Sequence, residues 1–238
     1  MNLPQSNRKA CASGLAGLMP GVHYPASEHR YIRAAQDRFD WTLQWLTRHG
    51  VAGKSVLEIG TGVIGVCCRL MGAATTAWDV RRDFEEVAER LGIDFIYTDL
   101  SIPGTWPRGD EFDIVILAEV LEHIPVSPID TLKGIHATLK PGGTVVLTTP
   151  NLLRLSNRIR MLTGKALFAP FSPEALVMGH VREYTLSEVA NYATRAGFDV
   201  LKCEYHNWDL GHLSPLAPLL GVVPSLSNCI SLIGRKAR

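Results

Sequence analysis

The 238-residue sequence predicts an α/β fold on a mainly parallel sheet, and three observations carry that expectation. Short apolar runs alternate with helically periodic stretches along most of the chain. The run over 112–117 is rich in apolar and β-branched residues, as in a strand covered on both faces. Gly60-Thr-Gly-Val-Ile-Gly65 lies between a predicted strand and a predicted helix, where bare backbone lets a ligand approach the mouth of the sheet.

Residues 1–26 show little periodicity and contain Pro4, Pro20 and Pro25, so they are expected to form a loosely ordered arm. The remainder, 27–238, is expected to be one domain. Ser27 is a candidate N-cap for a helix with Ile32, Ala35, Phe39, Leu43 and Leu46 on one face, stopped at Gly50. A strand over 55–59, a short helix to about Met71 and a strand over 75–79 make one βαβ unit. A helix over 82–91, strands over 94–97 and 112–117, a helix over 129–139, a Pro141-Gly142-Gly143 turn and a strand over 144–148 follow. Thr185-Leu-Ser-Glu188 is a capping box for a helix ending at Gly197, and strands over 198–205 and 228–233 close the chain. Between them, 151–182 reads as a lid or substrate insertion.

Composition narrows the function classes. With 24 Lys and Arg against 23 Asp and Glu, the net charge of +1 provides no field for a polyanion, so nucleic acid is not expected as a partner. The five cysteines, Cys11, Cys67, Cys68, Cys203 and Cys229, have no metal-ligand spacing and read as reduced thiols of a cytoplasmic protein. No metal site is expected. The N-terminal apolar stretch is interrupted by Gly14, Gly17 and Pro20, which argues against a signal peptide. The uncharged stretch over 210–234 is broken by Pro215, Pro218 and Pro224, so it reads as a folded apolar segment, with no transmembrane span expected.

Asp79, 21 residues after Glu58 at the end of the second strand, can accept from both hydroxyls of a ribose. At that point a dinucleotide and an adenosyl ligand remain equally open. The ordered set Glu58-Ile-Gly60-Thr-Gly62, Asp79, Asp99-Leu100, Phe112-Asp-Ile-Val-Ile-Leu-Ala-Glu-Val-Leu-Glu-His-Ile124 and Leu139-Lys-Pro-Gly-Gly-Thr-Val-Val-Leu-Thr-Thr-Pro-Asn151 resembles class I S-adenosylmethionine-dependent methyltransferases. The similarity is to the small-molecule branch that includes ubiquinone-biosynthesis-type enzymes. It implies a doubly wound, Rossmann-like, seven-stranded sheet of order 3-2-1-4-5-7-6 with the seventh strand antiparallel.

The same resemblance implies S-adenosyl-L-methionine as cofactor, leaving as S-adenosyl-L-homocysteine. Carried over by position, it implies that Glu58 organises the loop, Gly60, Thr61 and Gly62 line the methionine moiety, and Asp79 and Val80 meet the ribose. Asp99 and Leu100 would meet the adenine, and Glu119 and Val120 the sulfonium. Trp78 stands where the family usually carries a small or aliphatic residue.

Methyl transfer to a hydroxyl needs a proton acceptor, and His123, just past the 112–117 strand, is the first candidate base. His180 and Tyr184, in Gly179-His-Val-Arg-Glu-Tyr184, are second candidates, with pinning of the lid as the alternative role for His180. A helix over 151–165 would put Leu152, Leu155, Ile159 and Leu162 on one face and Arg154, Arg158 and Lys165 on the other. That pattern suits a lid with a core-facing stripe, an apolar or phosphate-bearing acceptor, or peripheral membrane contact. The expected function is therefore methylation of a small molecule, foremost at oxygen. N- or C-methylation and a non-catalytic cofactor-binding scaffold are the alternatives.

Overall fold

A computed structural model describes residues 35–60, 62–82, 84–102, 105–106, 109, 111–168, 179–208, 220 and 222–238. The expected N-terminal arm, Thr61 and the middle of the expected lid lie outside the described residues. The described elements, in order, are α1 (Gln36–His49), β1 (Ser55–Ile59), α2 (Val63–Leu70), β2 (Ala74–Asp79), α3 (Glu85–Leu91), β3 (Asp94–Tyr97), β4 (Phe112–Ala118), α4 (Pro128–Thr138), β5 (Leu139–Pro150), α5 (Leu155–Leu162), α6 (Leu186–Arg195), β6 (Phe198–His206) and β7 (Cys229–Lys236). Short 3₁₀ turns stand at Leu121–His123 and Pro224–Leu226.

The seven strands form one sheet of order β3-β2-β1-β4-β5-β7-β6. β1 to β5 pair in parallel, and β7 is antiparallel to both β5 and β6. This is the doubly wound order that the resemblance implies.

Strand alternation sorts the core into two layers. Val56, Ala77, Ile114, Ile116 and Val146 face the side covered by α1, α2 and α3. Leu57, Val115, Leu117, Val145 and Leu147 face the side covered by α4 and α6. Each fully buried aliphatic side chain contributes roughly 1.5–3 kcal/mol relative to exposure, so the two layers supply the main folding force. Trp78 turns into the second layer, edge-on to Trp106 and Phe112 at 6.0 and 6.4 Å between ring centroids. Its indole N–H is buried without a hydrogen-bond partner among the described residues.

Helix boundaries follow local chemistry. Ser127 caps α4, its hydroxyl accepting from Asp130 N, and Pro128 occupies the first turn, where a missing N–H costs nothing. Thr185 and Glu188 complete the reciprocal capping box of α6, and Gly197 follows that helix at φ 100°.

Two expectations need correction. Pro141-Gly142-Gly143 is not a turn that precedes a strand, because β5 already begins at Leu139. Leu139 pairs with Phe112, and a register shift between Phe112 and Ile114 absorbs the glycines as an irregularity in the ladder. The lid helix is shorter than expected, and its apolar stripe does not face the core: Ile159 is 44% and Leu162 87% exposed. The buried side chain of α5 is polar Asn157, which donates to Leu152 O and to Glu183. No helix among the described residues is long and apolar enough to cross a membrane.

Candidate functional site

The C-terminal ends of β1, β2 and β4 converge on the glycine turn. Glu58 in β1 reaches forward to the start of α2, Oε1 accepting from Ile64 N at 3.1 Å and Oε2 from Gly65 N at 2.5 Å. It thereby satisfies N–H groups that the first turn of a helix leaves without partners. A Cβ at Gly65 would stand 2.8 Å from Glu58 Oε2, so only glycine admits this carboxylate. Burial pushes the Glu58 carboxyl up to about 8, against the two N–H donors and with help from the nearby Asp79 charge.

Gly60 and Gly62 have φ of 111° and 77°. A Cβ on Gly60 would lie 2.8 Å from Val120 Cγ2, and one on Gly62 would run into the Phe84 ring. Bare backbone is therefore enforced from both sides of the turn.

Asp79 ends β2, 8% exposed, with Oδ1 accepting from Arg81 N at 2.8 Å and the Arg81 guanidinium 3.8 Å away. Half-buried Val80 follows it. Asp99 organises its own loop, Oδ1 accepting from Ser101 N and Ser101 Oγ at 2.9 and 2.6 Å. Leu100 beside it packs on the α4–α6 layer.

Past β4 the chain bends at Glu119, which holds φ 55°, a left-handed conformation rare outside glycine. Its N–H donates to Thr148 O at 2.9 Å, and its Oε2 pairs with Arg38 of α1 at 3.3 Å. Its Oε1 is buried with no partner among the described residues. A left-handed backbone that carries a half-satisfied buried acceptor makes Glu119 a candidate functional position. Val120 stands beside it over Gly60.

The Leu121–His123 turn brings in the second half of the site. Glu122 is buried and accepts from Thr149 Oγ1 at 3.0 Å, while burial and the Glu119 charge push its carboxyl well above the usual range. Its backbone carbonyl accepts from Val181 N at 2.8 Å and Arg182 N at 3.3 Å, which straps the 179–182 segment onto the turn. His180 thus meets His123 edge to face, with ring centroids 4.9 Å apart.

His180 Nδ1 stands 2.7 Å from Glu183 Oε1. Glu183 also accepts from Arg154 Nη1 and Asn157 Nδ2, each at 2.7 Å. Burial opposes its charge, but His180 and Arg154 outweigh that and hold the carboxyl below its ordinary value. Tyr184 is 2% exposed, with its ring perpendicular to Tyr192, and burial pushes its hydroxyl up to about 12. Its side chain belongs to the α4–α6 core layer.

Glu122, His123 and His180 each offer a ligand atom, all within 4.8 Å of one another. A carboxylate and two imidazoles are donors that a divalent cation accepts. Chain spacing could not bring this set together, because His180 is distant in sequence and arrives only through the strap on Glu122.

The chain matches the model of a methyltransferase domain over residues 28–202. It belongs to the methyltransferase-domain family. A ubiquinone biosynthesis O-methyltransferase of Azotobacter vinelandii is 32% identical over 117 residues, 46% of this chain and 50% of that protein. The corresponding protein of Aromatoleum aromaticum is 30% identical over 170 residues, 66% of this chain and 69% of that one. For the first of these the chain spans about half the length of its curated relative.

Solved structures agree on the fold of the methyltransferase domain. The N-methyltransferase NodS of Bradyrhizobium japonicum, in complex with S-adenosyl-l-homocysteine, superposes with a TM-score of 0.56 at 18% identity, over 86% of this chain and 88% of that one. The [4+2]-cyclase SpnF superposes with a TM-score of 0.58 at 17% identity, over 86% and 82%.

Within this domain, sequence reasoning missed Arg38 against Glu119 and the cluster of Arg154, Asn157 and Glu183. Arg154 carried a signal as a basic residue of the lid helix, but its partner, Glu183, stands beyond that helix.

Proposed function

We propose that this methyltransferase domain transfers the methyl group of S-adenosylmethionine to an oxygen of a small-molecule acceptor. The observation that supports it best is the convergence, at the C-terminal ends of β1, β2 and β4, of the positive-φ glycine turn and Asp79 with Glu119 and the turn that carries His123 of the His123–His180 pair. The residues suit an adenosyl ligand: the turn excludes side chains from the backbone at Gly60 and Gly62, and Glu119 Oε1 is a buried acceptor with no partner among the described residues.

When bound, the cofactor supplies an electrophilic methyl group on a sulfonium. Asp79 would receive the ribose hydroxyls, Asp99 and Leu100 would border the adenine, and the 60–62 turn with Glu119 and Val120 would flank the methionine end. Thr61, outside the described residues, is part of this assignment by its place between the two glycines. His123 Nε2 or His180 Nε2 would hold the proton leaving an acceptor hydroxyl, while Tyr184 packs in the α4–α6 core layer. An imidazole can take a proton from an acceptor hydroxyl, and alignment of donor and acceptor accounts for the rest of the barrier reduction. The O-methyltransferase relatives support oxygen as the acceptor atom. The cysteine pattern of the sequence supports a reducing, cytoplasmic setting.

Calorimetric titration with S-adenosylmethionine, S-adenosylhomocysteine and NAD tests the cofactor. Binding of the first two, lost in Asp79→Ala and absent for NAD, is the expected result. Release of S-adenosylhomocysteine with panels of hydroxylated and amine acceptors then tests the acceptor atom. Full turnover by His123→Ala and His180→Ala together would shift the reading to an amine or carbon acceptor, and no binding of either adenosyl ligand would end it.

A further inference from the structure

We infer that Trp106 sets the base selectivity of the cofactor site: its ring, seated against Gly134 and Trp78, positions the loop of Asp99 to accept a 6-amino purine and refuse a 6-oxo purine. This rests on the adenosyl reading proposed above. The loop is described at 98–102 and 105–106, and on both sides of Asp99 it returns to the dipeptide Trp78-Asp79. Thr98 N donates to Asp79 O at 3.0 Å. Beyond Asp99, the Trp106 ring stands edge-on to Trp78, with centroids 6.0 Å apart. Thr105 Oγ1, next to Trp106, donates to Asp99 O at 3.0 Å, and Ile102 N donates to the same carbonyl at 3.1 Å. The backbone of Asp99 is therefore gripped from the Trp106 side. Its Oδ1 is occupied by Ser101, and its Oδ2 takes no hydrogen bond among the described residues. A carboxylate oxygen accepts from an exocyclic amine and repels a carbonyl oxygen set in the same place.

Local preferences are overridden around this one ring. Gly134 lies inside α4, where glycine is a poorer helix former than alanine, and a Cβ there would run into the Trp106 ring. Trp78 is 1% exposed, and its buried indole N–H has no partner among the described residues, a penalty that an aliphatic side chain would not carry. Trp106 itself is half-buried and packs, with Leu100, on the α4–α6 layer. It thereby joins α4, β2 and the Asp99 loop. Trp106 acts through Asp99, as a positioning residue.

Calorimetry with S-adenosylhomocysteine and S-inosylhomocysteine, in which oxygen replaces the 6-amino group, tests the inference. The unmodified protein is expected to prefer the first at least about tenfold, as one hydrogen bond to a charged group allows. In Trp106→Ala the preference should fall below about threefold, while Trp106→Phe, which keeps a ring in the seat, should retain it. Gly134→Ala should lose it as Trp106→Ala does, although alanine is the better helix former. Val145→Ala, in the same core layer but on β5, should lower the unfolding midpoint and leave the preference intact. Should Trp106→Ala fail to fold, the unmodified protein and Gly134→Ala decide. No preference in the unmodified protein, a preference kept by folded Trp106→Ala or Gly134→Ala, or one lost equally in Val145→Ala would each overturn the inference. Binding of neither ligand to the unmodified protein would instead end the adenosyl reading, and this inference with it.

Discussion

Glu183 holds His180 by a 2.7 Å contact between Oε1 and Nδ1, and the same carboxylate is held by Arg154 and Asn157. A carboxylate kept ionised in this way accepts Nδ1–H, so the neutral ring carries its lone pair on Nε2. One buried charge thus fixes both the tautomer and the orientation of a candidate base.

Glu183→Gln is expected to lower turnover roughly 10- to 100-fold while S-adenosylhomocysteine affinity stays within about twofold, since the cofactor turn is elsewhere. The same change removes a charged hydrogen-bond acceptor from Arg154 and should cost about 1.5–3 kcal/mol of stability. Steady-state kinetics, calorimetry and thermal unfolding on one preparation separate the effects. Unchanged turnover would assign Glu183 to lid attachment alone.

Glu58 makes stability depend on pH in the direction opposite to an ordinary salt-bridged carboxylate. Its folded value of about 8 lies above the ordinary 4.5, so folding favours the protonated form. That contribution is complete below about 4.5 and is lost as the pH rises through about 8. The unfolding midpoint of the unmodified protein should fall as the pH rises from about 5 to about 8, and Glu58→Gln should lose relatively less over the same interval. Parallel midpoint curves for the two proteins would contradict this account.

Gly62→Ala is expected to do more damage than Gly164→Ala. Both glycines sit at positive φ, 77° and 68°, so both pay roughly 1–2 kcal/mol for a left-handed alanine. Around Gly164 nothing lies within 4 Å of an added Cβ, whereas at Gly62 the Phe84 ring must move. Phe84 is buried just before α3, in the loop that follows Asp79. The Gly62 variant should therefore lose cofactor affinity as well as stability, and the Gly164 variant only stability. Equal affinities in the two variants, measured by calorimetry, would refute the role given to the turn.

Much of the fold was legible because its signals are local. The alternation of Val56 with Leu57 and of Ile114 with Val115 states which residues face which layer, and the register of the parallel ladder follows once both faces are buried. The capping box at Thr185 and the glycine after Arg195 bound α6 by hydrogen bonds within a few residues. The strand-turn-helix geometry at Glu58, Gly60 and Gly62 was legible for the same reason, as the turn is built from adjacent residues, and Asp79 was legible as the end of its strand. The Pro141-Gly142-Gly143 segment misled, because it lies inside one continuous strand as an irregularity, the β4 ladder pairing Leu139 and resuming at Thr144.

By itself, the sequence determined the α/β class, the strand-turn-helix cradle and the places where a carboxylate ends a strand. Only the tertiary structure decided that Arg38 meets Glu119, that the carbonyl of Glu122 straps His180 against His123, and that the apolar stripe of α5 turns outward while Asn157 turns in. The physical reason is distance along the chain. Periodicity and capping are written into neighbours, whereas a buried carboxylate takes its partner from whichever segment the sheet order brings alongside.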